Sequence, residues 1–114
     1  MNQPILTCQI ADGIGKAVSL SHELVDDQTV QQFRAELQGI VDAGASSIEL
    51  DMARVNMVSS MAICAIITVD RQLKAKGGRL HLRAVQRFTL DIFNHMRLDE
   101  LLDIEAPDDL TLVA

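Results

Sequence analysis

Aromatic residues are scarce in this chain of 114 residues, which has three Phe and neither Trp nor Tyr. Sites that stack a base, a sugar or a cofactor ring are usually built from several aromatic side chains. Basic residues are also fewer than acidic ones. The chain has ten Lys and Arg and sixteen Asp and Glu, which give a formal net charge of −6. A nucleic-acid partner requires a basic footprint. The composition therefore argues against nucleic-acid binding.

Cysteines and long apolar runs are also few. Cys8 and Cys64 form no recognisable framework, and unmatched thiols are typical of a reducing compartment. The longest apolar run, Met61–Ile67, is far shorter than the ~20 residues that span a bilayer. Met1–Leu6 lacks the basic and apolar regions of a signal peptide. We expect a cytoplasmic protein without direct membrane insertion.

What is present is enough for one globular domain. The length suits a single core, and 48% of the residues are hydrophobic. We expect one domain over residues 1–114, with its core at about 5–105 and a short acidic C-terminal tail.

Four segments have the composition and alternation of strands. Ile5–Ile10 and Lys16–Leu20 flank the turn residues Asp12–Gly13, which predicts an opening hairpin. Ser47–Met52 and Arg79–Arg83 alternate between apolar and polar side chains, as half-buried strands do.

Three segments have helical spacing. The first begins at Asp26–Asp27, which can cap it, and ends at Gly44 in a left-handed cap. The second begins at Ser59 or Ser60 and runs to about Lys76, before Gly77–Gly78. The third covers Phe88–Met96 and is followed by a final helical turn at 98–102. The apolar face of the first helix is formed by Val30, Phe33, Leu37, Ile40 and Val41.

The second helix is apolar almost all round in its first turns, so we expect those turns deep in the domain. Burial would raise the pKa of the Cys64 thiol and keep it unreactive. The last turns should face water with Asp70, Arg71, Lys74 and Lys76. The order of elements predicts an α/β fold, a mixed sheet of four to five strands with an opening hairpin and about four helices.

Catalytic constellations are not evident. His22, His81 and His95 are far apart without metal-ligand spacing, which favours surface or edge histidines. Gly13–Gly15 joins two strands, whereas a phosphate-binding loop must open a helix. We expect no enzymatic activity, no metal and no cofactor.

The strand–helix junction at Ser59–Ser60 is the exception. A serine there can be an N-cap that satisfies a free backbone N–H, or it can be a functional hydroxyl. Spacing alone does not decide between these two roles.

A wider pattern bears on that choice. It combines Ile48–Met52, the junction Val55–Met61, the helix ending at Gly77–Gly78, the strand Arg79–Leu82 and the segment Leu98–Ile104. Together these resemble the STAS domain of bacterial anti-sigma factor antagonists, over residues 5 to 105. The resemblance implies a STAS-like fold and a junction serine that a partner kinase phosphorylates. The matching serine is Ser59, which leaves Ser60 as a cap or supporting hydroxyl and the less favoured phosphorylation site.

Two residues depart from the family pattern. Val58 stands where the family has an acid, and Met61 stands where it has a glycine. A second family acid, at the start of the first helix, corresponds to Asp26. The implied partners are an anti-sigma factor or serine protein kinase and a serine phosphatase. The expected partner-binding residues are Asp26, Met57, Val58, Ser59, Ser60 and Met61.

The three apolar side chains beside Ser59 have two possible placements. Met57, Val58 and Met61 either fill the core or lie exposed, and exposure would indicate a partner with an apolar groove. The alternative function is a constitutive STAS subunit of a lipid-transport complex or a stress-signalling scaffold. An enzymatic or nucleotide-binding function is the third and least favoured alternative.

Overall fold

The computed structural model describes residues 6–10, 15–20 and 23–105. Five strands form one mixed sheet in the order β1-β2-β3-β4-β5. Only β1 runs antiparallel to its neighbour, and the other four strands are parallel. The strands are β1 (Leu6–Ile10), β2 (Gly15–Leu20), β3 (Ser47–Asp51), β4 (Leu80–Arg83) and β5 (Asp103–Ile104).

Three α-helices and one 3-10 helix connect the parallel strands. They are α1 (Asp27–Asp42), α2 (Ser60–Ala75), α3 (Arg87–His95) and the 3-10 helix Leu98–Glu100. The predicted α/β fold, with its hairpin pairing of the first two strands, is confirmed. The predicted turn at Asp12–Gly13, the side chain of Cys8, His22 and the acidic tail after Glu105 lie outside the described residues.

The connections explain why one face of the sheet carries the core. Each of the three crossovers leads from a parallel strand to its next neighbour in the same direction, and right-handed crossovers of that kind place their helices on one face. Ile48 and Leu50 of β3 are buried on that face, whereas Glu49 and Asp51 are partly exposed on the other. The helices contribute Val30, Phe33, Leu37, Val41, Ile63, Ile66, Val69, Leu73 and Phe93 to the core.

The first two helices end in the same hydrogen-bonded motif. Gly44 and Gly77 have φ angles of +113° and +84°, a region that glycine enters without a steric penalty. At the end of α2, Gly77 N donates to Lys74 O and Gly78 N donates to Leu73 O, as in a Schellman motif. Gly44 therefore ends its helix as the sequence predicts, and Gly77–Gly78 is a stop signal.

The expectation that Asp70 faces water is wrong, because its side chain is only 1% exposed. Its Oδ2 lies 2.8 Å from Lys74 Nζ, and its Oδ1 accepts a 3.3 Å hydrogen bond from Leu80 N. A buried carboxylate needs such partners to offset its lost hydration. Lys74 also donates to Leu101 O over 2.9 Å, so this pair ties α2 to β4 and to the segment before β5.

The expectation that α2 begins deep in the domain is wrong as well. Ala62, Ile63, Ala65 and Ile66 are buried, but Cys64 is exposed and is a free thiol. The apolar run at the start of α2 therefore has two faces, one in the core and one toward solvent.

His81 links the last two strands on the open face of the sheet. Its Nδ1 lies 2.7 Å from Asp103 Oδ2, and its Nε2 lies 3.0 Å from Glu105 Oε2. Partial burial alone would lower the pKa of His81, but the hydrogen bonds and charges of Glu105 and Asp103 outweigh it and raise that pKa above its usual value.

The raised pKa predicts a pH-dependent contribution to stability. The protonated imidazole is favoured in the folded chain, so its contribution is complete below the unfolded-state pKa and is lost as pH rises through the folded-state pKa. We expect the difference in free energy of unfolding between the wild type and His81→Gln to be larger at about pH 5.5 than at about pH 8.5. Urea unfolding at both values measures it, and a difference that grows with pH would contradict the ion-pair assignment.

Candidate functional site

Ser59 is fixed at the junction between β3 and α2 by three hydrogen bonds. Its N–H donates to Leu24 O over 2.7 Å, and its carbonyl accepts from Ile63 N over 3.1 Å. Its Oγ accepts a 3.2 Å hydrogen bond from Ala62 N, which makes Ser59 the N-cap of α2. Backbone and hydroxyl are therefore held in one orientation.

The start of α1 is joined to the same junction by a short parallel bridge. Leu24 pairs with Val58, and Leu24 N donates to Met57 O over 3.3 Å. The fully buried Leu24 side chain anchors this bridge in the core. As a result, α1 and α2 begin at neighbouring positions on one edge of the sheet.

Side chains from two other segments hold the loop before Ser59. Asn56 N donates to Glu23 Oε1 over 2.6 Å, and Asn56 O accepts from Thr89 Oγ1 over 3.3 Å. Gln86 Nε2 donates to Ala53 O. The loop is thus tied both to the chain before α1 and to the first turn of α3.

Of the two roles expected for Ser60, a cap or a supporting hydroxyl, the capping role is wrong. Ser60 is the first residue of α2 and its side chain is exposed, while the N-cap bond belongs to Ser59. The reason is geometric, because an N-cap residue keeps extended backbone angles, and Ser59 has φ −84° and ψ 165°. The bridge to Leu24 holds Ser59 in that extended conformation.

Because the two serines have different roles, replacing each by alanine should change the free energy of unfolding by a different amount. We expect Ser59→Ala to lower the free energy of unfolding by about 1 kcal/mol, because the Ala62 N–H loses its acceptor. Ser60→Ala should change it by less than about 0.5 kcal/mol, since the hydroxyl is exposed. Urea unfolding of both variants measures this, and equal costs would contradict the assignment of the cap.

Asp26 caps α1 beside this junction. Its Oδ1 accepts from Thr29 N over 2.9 Å, and its Oδ2 accepts from Thr29 Oγ1 over 2.7 Å. The hydrogen bonds from the Thr29 side chain and then its backbone lower the pKa of Asp26. The carboxylate is therefore ionised at neutral pH and lies at the entrance to α1.

The three apolar residues beside Ser59 do not share one placement, since two face solvent and one packs against the core. Met57 and Met61 are exposed, at 49% and 48%, whereas Val58 is partly buried and packs against the core. The residue that replaces the family acid thus supports the fold, and the two methionines are available to a partner.

Sequence reasoning missed a groove between α1 and α2 that begins beside Ser60 and Met61. Arg34 and Cys64 line it. The signal was available in α2, because Met61, Cys64 and Thr68 lie at positions i, i+3 and i+7 on one helical face. The apolar run at the start of α2 predicts a buried segment instead, and the exposed Cys64 contradicts that prediction.

The described residues contain neither a metal-ligand cluster nor a membrane-spanning helix. No group of three or more His, Cys, Asp or Glu side chains in residues 6–10, 15–20 and 23–105 is placed to hold a metal ion. None of the helices in these ranges is long and apolar enough to cross a membrane.

Comparisons with known proteins identify the family of this chain. Residues 11–103 match the family model described as "Mlab, STAS domain". A Bordetella bronchiseptica protein named "Putative anti-sigma factor antagonist BtrV" is 27% identical over 79 residues, which cover 69% of this chain and 68% of that protein.

Solved structures share the fold at lower identity. The anti-sigma factor antagonist SpoIIAA of Bacillus in its unphosphorylated form has a TM-score of 0.75 at 20% identity, covering 94% of this chain and 92% of that one. Its phosphorylated form has a TM-score of 0.69 at 20% identity, with coverages of 94% and 96%. An anti-sigma factor antagonist from Mycobacterium paratuberculosis has a TM-score of 0.73 at 18% identity, with coverages of 99% and 97%. Because the family model spans most of the sequence, the chain belongs to the STAS domain family.

Proposed function

We propose that the protein is an anti-sigma factor antagonist that binds an anti-sigma factor or serine protein kinase and is switched by reversible phosphorylation of Ser59. A serine phosphatase would restore the free hydroxyl. We place this binding, phosphorylation and dephosphorylation in the cytoplasm. The domain itself would have no catalytic role, since it acts as substrate and binding module.

The observation that carries the proposal is the position of Ser59 between two exposed methionines. Its Oγ lies at the N-terminus of α2, with Met57 before it and Met61 after it on the surface. Flexible methionine side chains adapt to different partner surfaces. A modification of Ser59 would therefore fall inside the surface that a partner covers.

The capping geometry leaves Ser59 able to react. The hydroxyl accepts the Ala62 N–H through one lone pair, so a second lone pair and the O–H proton remain for a kinase. In the transfer, Oγ bonds to the γ-phosphorus of ATP, the bond from that phosphorus to ADP breaks, and the hydroxyl proton leaves to the kinase base.

A phosphate at this position would alter docking while preserving the fold. Phosphoserine carries about −1.5 to −2 charges at neutral pH. The N-terminus of α2 favours such an anion by about 0.3–1 kcal/mol. A partner that fits the free hydroxyl would instead meet a bulky dianion close to the ionised Asp26.

A constitutive STAS subunit is the second candidate, as part of a lipid-transport complex or a stress-signalling scaffold. It is favoured by Val58, which packs against the core where the family has an acid. Loss of that acid weakens the expected recognition by a kinase while leaving the docking surface intact.

Transcription in the native host distinguishes the two functions. We expect Ser59→Ala and Ser59→Asp to shift one set of sigma-dependent transcripts in opposite directions, with Ser59→Ala raising them, because only the unmodified form would sequester the anti-sigma factor. Ser60→Ala serves as the control and should resemble the wild type. Equal levels of these transcripts in both Ser59 variants, measured by RNA sequencing, would instead support the constitutive subunit.

A further inference from the structure

An open groove of about 630 Å³ lies between α1 and α2. Its apolar lining residues are Val30, Ala35, Met61, Cys64 and Ala65. Val30 and Ala65 are buried and form its base, whereas Ala35, Met61 and Cys64 are exposed. Small side chains on both helices leave this space open, since larger ones would interdigitate across the helix pair.

The groove extends from the candidate site along the two helices. Ser60 and Met61 line one end, and Thr68 lies about 12 Å farther along α2 at 1.5 Å per residue. Gln38 also lines the groove, and its amide exchanges two 2.8 Å hydrogen bonds with that of Gln72 on α2. This exchange fixes the spacing of the helices, so the groove is part of the folded structure.

Among the described residues, Arg34 is the one charged residue that lines the groove. No carboxylate lines it, and Arg34 has no ion pair within the described part of the chain. A guanidinium next to an apolar surface suits a carboxylate, which it can bind through two parallel hydrogen bonds.

We infer that the groove binds a segment of the partner protein in which an apolar side chain lies next to an Asp or Glu. The apolar side chain covers Ala65 and Val30, and the carboxylate pairs with Arg34. The inference rests on the proposed function in taking the occupant to be a protein. It adds the chemistry that selects the partner.

The groove also gives the switch a second route of action. Its mouth is at Ser60 and Met61, directly after Ser59, so a phosphate on Ser59 would bring negative charge toward an acidic occupant. Like charges across an interface oppose binding. Phosphorylation would thus disfavour the same segment that Arg34 attracts.

Selection from a phage library of random peptides tests the inference without a known partner. Peptides of about 12 residues, roughly three helical turns, are selected on the full unphosphorylated chain. We expect enriched sequences to place Asp or Glu beside Leu, Ile, Met or Phe. Selection of no sequences, or of sequences without an acidic residue, would overturn the inference.

Affinities of the selected peptides locate the site. We expect Arg34→Glu to weaken binding about tenfold or more and Arg34→Lys to retain most of it. Arg79→Glu is the matched control, because Arg79 is exposed before β4 and outside the groove lining, and the charge reversal is the same. Equal binding by Arg34→Glu and the wild type would contradict the inference, as would a dimer in sedimentation that Arg34→Glu dissociates.

The two proposals can fail separately. Peptide selection requires neither a kinase nor ATP, so lack of phosphate on Ser59 would remove the proposed switch without changing these affinities. Conversely, phosphate on Ser59 together with unchanged peptide affinity of Arg34→Glu would support the phosphorylation switch and contradict the groove as a binding site.

Discussion

A negative charge at residue 59 is expected to weaken docking, and Ser59→Asp should bind the proposed anti-sigma factor partner at least about a hundredfold more weakly than Ser59→Asn does. The hundredfold change corresponds to about 3 kcal/mol, within the range for an unpaired or like charge in an interface. Asp and Asn have nearly the same shape and are equally good N-caps, so the pair isolates the charge.

Titration calorimetry with the purified partner measures the two affinities. Far-UV circular dichroism should show the same helix content in both variants, because a carboxylate at the N-terminus of α2 is favoured by the helix dipole. The difference should shrink as salt concentration rises. Equal affinities in low salt would contradict a switch that acts through charge.

The largest expected effect on stability is that of Gly78→Ala, which should lower the free energy of unfolding by about 3 kcal/mol or more. A Cβ on Gly78 would lie 1.6 Å from the carbonyl oxygen of Ser46 and 2.5 Å from the carbonyl carbon of the same residue. Both are backbone atoms just before β3, so the end of α2 and the start of β3 would have to separate. The same movement would strain the bond from Ile48 N to Arg79 O.

Gly39→Ala is the matched control for this prediction. Gly39 lies within α1, is exposed, and has no atom within 4 Å of a Cβ placed on it. Alanine there should raise the free energy of unfolding by about 0.5–1 kcal/mol, because it has the better helix propensity. Urea unfolding compares both variants with the wild type, and a Gly78→Ala protein as stable as the wild type would contradict the packing described here.

Local patterns were sufficient to predict most of the secondary structure. Period-two alternation located β3 and β4, and glycines with positive φ ended α1 and α2 close to where the sequence predicts. The two-residue strand β5 is too short to show a period of its own. It forms because Glu105 N donates to Leu82 O and Val85 N donates to Glu105 O, which are contacts between distant residues.

The errors share one physical cause, since each depended on contacts between distant segments. Asp70 is charged, yet its side chain is buried between α2 and β4, where Leu80 N of β4 and Lys74, one turn along the same helix, replace its water. Cys64 lies in an apolar run, yet the gap between α1 and α2 leaves it exposed. Ser59 rather than Ser60 caps α2 because the bridge to Leu24 keeps Ser59 extended.

The candidate site was therefore predictable in position and less so in detail. The family resemblance identified Ser59 from the junction residues, and it identified Asp26 by matching the family's second acid to the start of α1. Which of the neighbouring apolar residues face solvent could not be read from the sequence, because Met57, Val58 and Met61 are all compatible with a core. Arg34 carried no local signal, since a single arginine on a helix is usually a solvated surface residue.

Phosphosite mapping of the protein purified from its native host tests the central claim most directly. Mass spectrometry of wild type, Ser59→Ala and Ser60→Ala should find phosphate on residue 59 in the wild type and in Ser60→Ala, and none on this peptide in Ser59→Ala. Phosphate that persists in Ser59→Ala and disappears in Ser60→Ala would assign the switch to the exposed neighbour. A wild-type protein without phosphate on Ser59 in every growth phase would contradict the account.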